Sequence, residues 1–211
     1  MNREKSALQI ARAAYQPKLP KALRAGNIRV EFGAPTAPAT HAEDIKKLFP
    51  DTFGQPVAKI VEGDCNLNSA PMKVGVVLSG GQAPGGHNVI AGLFDALKTA
   101  NPETVVYGFL KGPGGCMKGK YKELTNEIID EYRNTGGFDM IMSGRDKIEK
   151  PEDFAACLEN FAEMGLDGLV VIGGDDSNTN AAVLAEYLKA QNSKTRIIGV
   201  PKTIDGDMKN E

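Results

Sequence analysis

Two patterns of apolar positions divide the chain. From residue 72 onward, short apolar runs alternate with stretches of helical period. Val74-Gly75-Val76-Val77-Leu78 is apolar at almost every position, as expected of a strand covered on both faces. Similar runs at 105–110, 138–142, 168–172 and 196–200 predict four more strands. Between them, Val89, Ile90, Leu93, Phe94 and Leu97 share one side of a helix. Residues 124–132 read as a second helix. Phe154, Cys157, Leu158 and Phe161, at i, i+3, i+4 and i+7, define a third, with Gly165 as its stop. Ala181, Leu184, Ala185 and Leu188 define a fourth. Alternation of this kind predicts right-handed crossovers and an α/β domain with a mostly parallel sheet, its helices on both faces.

Residues 1–70 are less regular and read as a small N-terminal extension to a domain at 71–211. Leu8, Ala11 and Tyr15 are spaced for one helix face, and Pro17 and Pro20 stop that helix. A strand is expected at 28–32, a short helix at 41–49 and an extended piece at 57–61. Asn, Ser and Pro cluster at 63–71, which reads as a linker.

Composition narrows the class. The 211 residues are 41% hydrophobic and 25% charged with a net charge of −2, which excludes a disordered chain. No apolar run approaches the ~20 residues of a membrane span, and no secretory segment follows Met1. Cys65, Cys116 and Cys157 form no CxxC pair, so reduced thiols in a cytoplasmic protein are expected. Residues 1–30 hold seven Lys/Arg against one acid. No aromatic stacking pattern accompanies them, so a solvated or subunit-packing segment is expected there and not a nucleic-acid arm. His41 and His87, the two histidines, have no partner at metal-ligand spacing.

In a sheet of this type, ligands bind at the carboxyl ends of the strands. Five loops there carry the candidate chemistry. Ser79-Gly80-Gly81-Gln82-Ala83-Pro84-Gly85-Gly86 offers bare backbone amides at a helix start, either an anion cradle or a tight turn. Residues 111–119 read mostly as a flexible surface loop. Ser143-Gly144-Arg145-Asp146 sets an arginine at a strand end, where its fork suits an oxyanion and where a surface salt bridge is equally common. Lys147 beside it reads as solvated, or as adding to the positive field. Gly173-Gly174-Asp175-Asp176 places two carboxylates at a helix start. An N-cap role explains one of them, and Mg2+ would satisfy an acid here. Pro201-Lys202-Thr203-Ile204-Asp205-Gly206-Asp207 follows one strand-helix-strand unit later. Glycine amides, an arginine, a lysine and several carboxylates in adjacent loops suit phosphoryl transfer.

The loops at 79–85, 143–148, 173–176 and 201–207 resemble, in order and register, the motifs of phosphofructokinases. Residues 1–70 look like the extension of the long, plant-like, pyrophosphate-dependent branch. The resemblance implies a three-layer phosphofructokinase-like fold and transfer of a phosphoryl group from pyrophosphate to the 1-hydroxyl of fructose 6-phosphate. It implies Asp205 as general base, Asp207 as its supporting acid and Arg145 as stabiliser of the transferring group. Gly81 would meet the donor phosphate, Thr203 would lie near the sugar hydroxyl, and Asp175 would hold Mg2+. ATP users typically have glycine at the positions of Asp176 and Lys202. An acid at 176 would repel the α-phosphate of ATP and a lysine at 202 would attract pyrophosphate. Gln82 stands where ATP-type enzymes usually have Asp, and reads as a feature of this branch. The family's second lobe and its sugar-phosphate residues have no counterpart in the chain. It is therefore expected to be the N-terminal part of the enzyme, inactive alone, and to form an oligomer with the same or a related subunit. A non-catalytic regulatory subunit of the same fold, or an ATP-dependent enzyme, would share most of these motifs.

Overall fold

The computed structural model describes residues 4–24, 27–64 and 70–203. They form two compact units, residues 15–70 and residues 1–14 with 71–211. In chain order the elements begin with α1 (Ala7–Ala14), α2 (Lys21–Arg24), β1 (Ile28–Pro35), α3 (Ala42–Leu48) and β2 (Pro56–Glu62). Within the smaller unit β1 and β2 pair antiparallel, with Val30 opposite Ile60 and an irregularity between Phe32 and Pro35.

The larger unit is built around β3 (Lys73–Ser79), buried from Val74 through Ser79 as its apolar run requires. It is followed by α4 (Gly86–Ala100), β4 (Val105–Phe109), α5 (Pro113–Met117), β5 (Tyr121–Glu123) and α6 (Asn126–Tyr132). Then come β6 (Ser143–Gly144), α7 (Pro151–Met164), β7 (Gly168–Gly173), α8 (Asp175–Ala190) and β8 (Arg196–Pro201). The strand order is β5-β4-β3-β7-β8, with β6 paired to the end of β3. All these pairs are parallel except β4 with β5.

Alternation along each strand sorts side chains into two cores, giving three layers. Val74, Val76 and Leu78 of β3 and Val170 and Ile172 of β7 pack with Ile90 and Phe94 of α4 and Ile129 of α6. Val77, Leu169 and Val171 face the other way, toward Phe154, Cys157 and Phe161 of α7 and Ala181, Leu184 and Leu188 of α8. Gly165 ends α7 in the left-handed conformation (φ 64°), as its sequence position predicts.

Three expectations are corrected. Residues 138–142 are not a strand. Phe138, Met140 and Ile141 are buried, but in a compact turn, and Met142 takes a positive φ of 58°. The Met140 N–H donates to His87 Nε2 at 2.9 Å, so it cannot join a ladder. The two residues of β6 pair instead, Ser143 with Leu78 and Gly144 with Ser79. Nor is 111–119 a flexible surface loop. Gly112 through Cys116 are buried, and α5 begins at Pro113 with Gly112 as its N-cap. Gly112 (φ 79°) lies so close to Gly144 that a Cβ would fall 2.4 Å from the Gly144 nitrogen. Finally, the alternation is not strict, because β5 returns antiparallel before α6 begins.

Candidate active site

The chain leaves β3 for β4 on one side and reaches β7 on the other, so the topological switch lies at the carboxyl end of β3. A cleft of about 300 Å³ opens there, lined by Ser79, Gly80, Arg145, Asp146, Lys147, Asp176, Ser177 and Asn180. Gly80, at φ 83°, turns the chain out of the strand, and its N–H donates to the Gly144 carbonyl at 2.8 Å. That bond sets the glycine loop beside β6. A side chain on Gly81 would begin 3.8 Å from Arg145 Nη2, so the loop backbone and the guanidinium border one space.

Helix α8 organises the opposite wall. Its N-cap is Gly174, with no side-chain cap, so neither acid takes the capping role expected of one of them. Asp175 and Asp176 are both exposed in the first turn, where negative charge complements the helix dipole. Asp176 Oδ2 lies 3.3 Å from Lys147 Nζ. Lys202 donates its N–H to the Gly173 carbonyl at 2.8 Å, which aligns the end of β8 with that of β7. Its neighbour Thr203 is exposed. Asp205 and Asp207 lie outside the described residues.

The structure therefore gathers Gly81, Arg145 and Asp176 at one cleft, with Asp175 on the adjoining helix turn and Lys202 on the adjoining strand end. Sequence reasoning missed the residues that hold these loops together. Ser177 Oγ donates to Ser79 Oγ at 2.8 Å, joining α8 to the glycine loop. Asn178 Nδ2 donates to the carbonyls of Gly173 and Gly174, at 2.7 and 2.8 Å. Asn180 clamps Ile148, accepting from its N–H at 3.1 Å and donating to its carbonyl at 2.7 Å. That clamp fixes the segment carrying Arg145 and Lys147. The signal was a run of small polar residues in the first turns of a helix, where side chains bond nearby backbone. Among the described residues, no three His, Cys, Asp or Glu side chains form a metal cluster. Among them too, no helix is long and apolar enough to cross a membrane.

A three-layer α/β unit whose switch point brings bare backbone amides, a guanidinium and carboxylates together has the chemistry that suits an anionic ligand. Comparison with known proteins places it further. The chain belongs to the phosphofructokinase family, whose model, described as "Phosphofructokinase", matches residues 73–211. It is 54% identical over 98% of its length to "Pyrophosphate--fructose 6-phosphate 1-phosphotransferase" of Porphyromonas gingivalis, covering 38% of that protein. Subunit beta 2 of the Arabidopsis thaliana protein of that name is 54% identical over 98% of the chain, and subunit alpha 1 is 42% identical over 99%. The chain covers 36% of each. The chain thus spans little more than a third of the curated relatives it matches. Among solved structures, a pyrophosphate-dependent phosphofructokinase from Marinobacter aquaeolei is similar in fold (TM-score 0.57, 21% identity), over 64% of this chain and 34% of that one.

Proposed function

We propose that these residues are the donor half of a phosphotransferase that moves a phosphoryl group from pyrophosphate to the 1-hydroxyl of fructose 6-phosphate. The observation that carries this reading is the single cleft shared by the Gly80–Gly81 backbone, Arg145 and the Lys147–Asp176 pair. The names of the relatives support the same donor and acceptor.

In this reading the glycine backbone and the Arg145 fork bind the donor phosphates and hold the transferring group in line. The sugar 1-oxygen attacks phosphorus, Asp205 takes its proton, and the bond to the departing phosphate breaks. Asp207 supports Asp205, and Thr203 stands on the sugar side. Lys202 adds a point charge for pyrophosphate, and Asp176 sets bulk and negative charge against a nucleotide. The residues present fit Mg2+ in a limited way. Asp175 is an exposed carboxylate at the cleft edge, and one protein ligand suits a cation that is otherwise held by phosphate oxygens and water. When bound, the ion supplies positive charge to the donor phosphates. The residues that bind the sugar 6-phosphate are read as belonging to the portion of the relatives that this chain does not span. The complete enzyme is read as an oligomeric, cytoplasmic glycolytic protein. Cys116 and Cys157, both buried free thiols, fit a reducing compartment. Steady-state assays of the complete enzyme with pyrophosphate and with ATP test the reading. Preference for pyrophosphate is expected, and preference for ATP would refute the roles given to Asp176 and Lys202.

A further inference from the structure

We propose that His87 is a positioning residue of the donor cleft: its neutral imidazole ties the turn that leads to Arg145 to the helix that follows the glycine loop, and protonation releases that tie. The inference rests on the donor reading above. His87 is the second residue of α4 and is fully buried. The N–H of Met140 donates to its Nε2 at 2.9 Å. Nε2 lies between the Met140 N–H and Asp139 Oδ1, the latter at 3.1 Å. An amide N–H can only donate, so the bond from Met140 assigns the lone pair to Nε2 and the proton to Nδ1, whereas a proton on Nε2 would serve Asp139 instead. Nδ1 then donates to Thr135 Oγ1 at 2.7 Å. The Thr135 hydroxyl passes its own proton on toward the Tyr132 carbonyl, also at 2.7 Å. The His87 N–H donates to the Gly137 carbonyl at 3.1 Å, and Tyr132 packs edge-on to the ring at 4.9 Å between centroids.

This cluster holds one end of the segment that carries the donor arginine. The other end is held by the bond from the Gly80 N–H to the Gly144 carbonyl. The segment 138–145 is thus held twice, at Met140 by His87 of α4 and at Gly144 by Gly80 of the glycine loop, and Arg145 directly follows Gly144. A proton on Nε2 would face the Met140 N–H, two donors with no acceptor between them. That proton would be taken by Asp139, whose exposed carboxylate already lies 3.1 Å from Nε2. Protonation thus exchanges the Met140 tie for an ion pair with Asp139.

Burial holds the His87 pKa below its ordinary value, against the opposing pull of Asp139 and of the Gly136 backbone. The other charged groups on elements packed around the turn are Arg133 with its partners Asp95 and Asp130, Glu131, and Arg12, whose carbonyl accepts from Asn134. The unfolded state takes up the proton first, near pH 6.5, so acidification lowers the stability of the folded chain, and within the folded chain the released form gains as the ring itself protonates. The tie is complete above that pH and is lost as pH falls through the lowered pKa.

The test is NMR of the 211-residue chain, which has two histidines. His41, whose side chain is exposed, serves as an internal reference. At pH 8, His87 should carry its proton on Nδ1 alone. As it titrates, exchange protection at the Met140 and Gly80 amides should fall together by about fivefold, the factor carried by one ordinary hydrogen bond. Affinity for Mg-pyrophosphate should fall over the same pH range. Asp139→Asn, at an exposed position outside the cleft, should move this acid limb to lower pH. His87→Gln, which can accept from Met140 but cannot be protonated, should flatten it. A proton on Nε2 at pH 8, or an acid limb unmoved by Asp139→Asn, overturns the proposal. The expected tautomer and exchange with no pyrophosphate affinity at any pH would support the tie and refute the donor reading.

Discussion

Asp176→Gly separates stability from donor choice, because the two effects have different sizes. In the folded chain Asp176 meets Lys147 at 3.3 Å, with side chains 80% and 49% exposed. A pair so open to solvent contributes less than about 1 kcal/mol. For a chain of this size losing the pair should lower Tm by less than about 4 °C, and the lost charge at the α8 N-terminus with glycine in its first turn adds a comparable amount. The effect on a nucleotide is larger. A unit charge about 4 Å from a phosphate opposes it by about 1 kcal/mol in water and about 4 kcal/mol near a protein surface. Removing Asp176 should therefore raise kcat/KM for ATP by about 5-fold to about 1000-fold. Lys147 is also freed, with Glu149 then its nearest acid at 4.0 Å, so pyrophosphate use rises as well, and the ratio of donors is the quantity to read. Lys202 still favours pyrophosphate in the single variant. Adding Lys202→Gly should move the ratio further toward ATP. The assay is steady-state kinetics of the complete enzyme with each donor, beside thermal melts. A donor ratio unchanged in both variants, or a large loss of Tm without such a change, would refute the reasoning.

Other expectations are as specific. Asp205→Asn in the complete enzyme should lower kcat by about 10²–10⁴ while KM values change far less, because the interaction belongs to the transition state. Retained kcat would remove Asp205 from the role of base. Asn180→Ala should raise the KM for pyrophosphate more than it lowers Tm, since the clamp on Ile148 fixes the segment that bears Arg145. A fall in Tm with unchanged KM would count against it. Cys116 and Cys157 should resist thiol reagents in the native chain. Burial, with Asp153 adding to it, pushes the Cys157 thiol up to about 12, and burial raises Cys116 well above its ordinary value. Fast reaction of more than one of the three thiols at neutral pH would contradict this.

Much of the larger unit is legible because its strands are apolar almost throughout. Val74–Leu78 and the β7 run cannot be placed on a solvated surface, and the helices between them keep one apolar side. Where tertiary contacts outweigh local pattern, the reading fails. Phe138, Met140 and Ile141 are apolar enough for a strand, but the buried His87 ring claims the Met140 N–H and bends the segment. Residues 112–116 are rich in glycine and look mobile, yet the bare glycines are what let Gly112 pack against Gly144, Gly114 against Asp146 and Gly115 against the Leu110 backbone. Of the cleft, the charged residues are readable because several of them fall together at the ends of neighbouring strands, although each alone is as readily a surface salt bridge. Ser177, Asn178 and Asn180 are not, because small polar residues at a helix start are common, and the partners of Ser177 and Asn180 lie far away in sequence. Ser79 is 98 residues from Ser177.

Calorimetric titration of the 211-residue chain is the most direct test of its assignment as a donor half. Saturable binding of Mg-pyrophosphate, weakened by Arg145→Ala, is expected, together with no measurable affinity for fructose 6-phosphate and no turnover. In the donor-half reading the acceptor is held in line by groups outside these residues, and orientation of that kind contributes roughly 7–11 kcal/mol to phosphoryl transfer. Tight binding of fructose 6-phosphate, turnover by the isolated chain, or no heat with Mg-pyrophosphate would contradict the assignment.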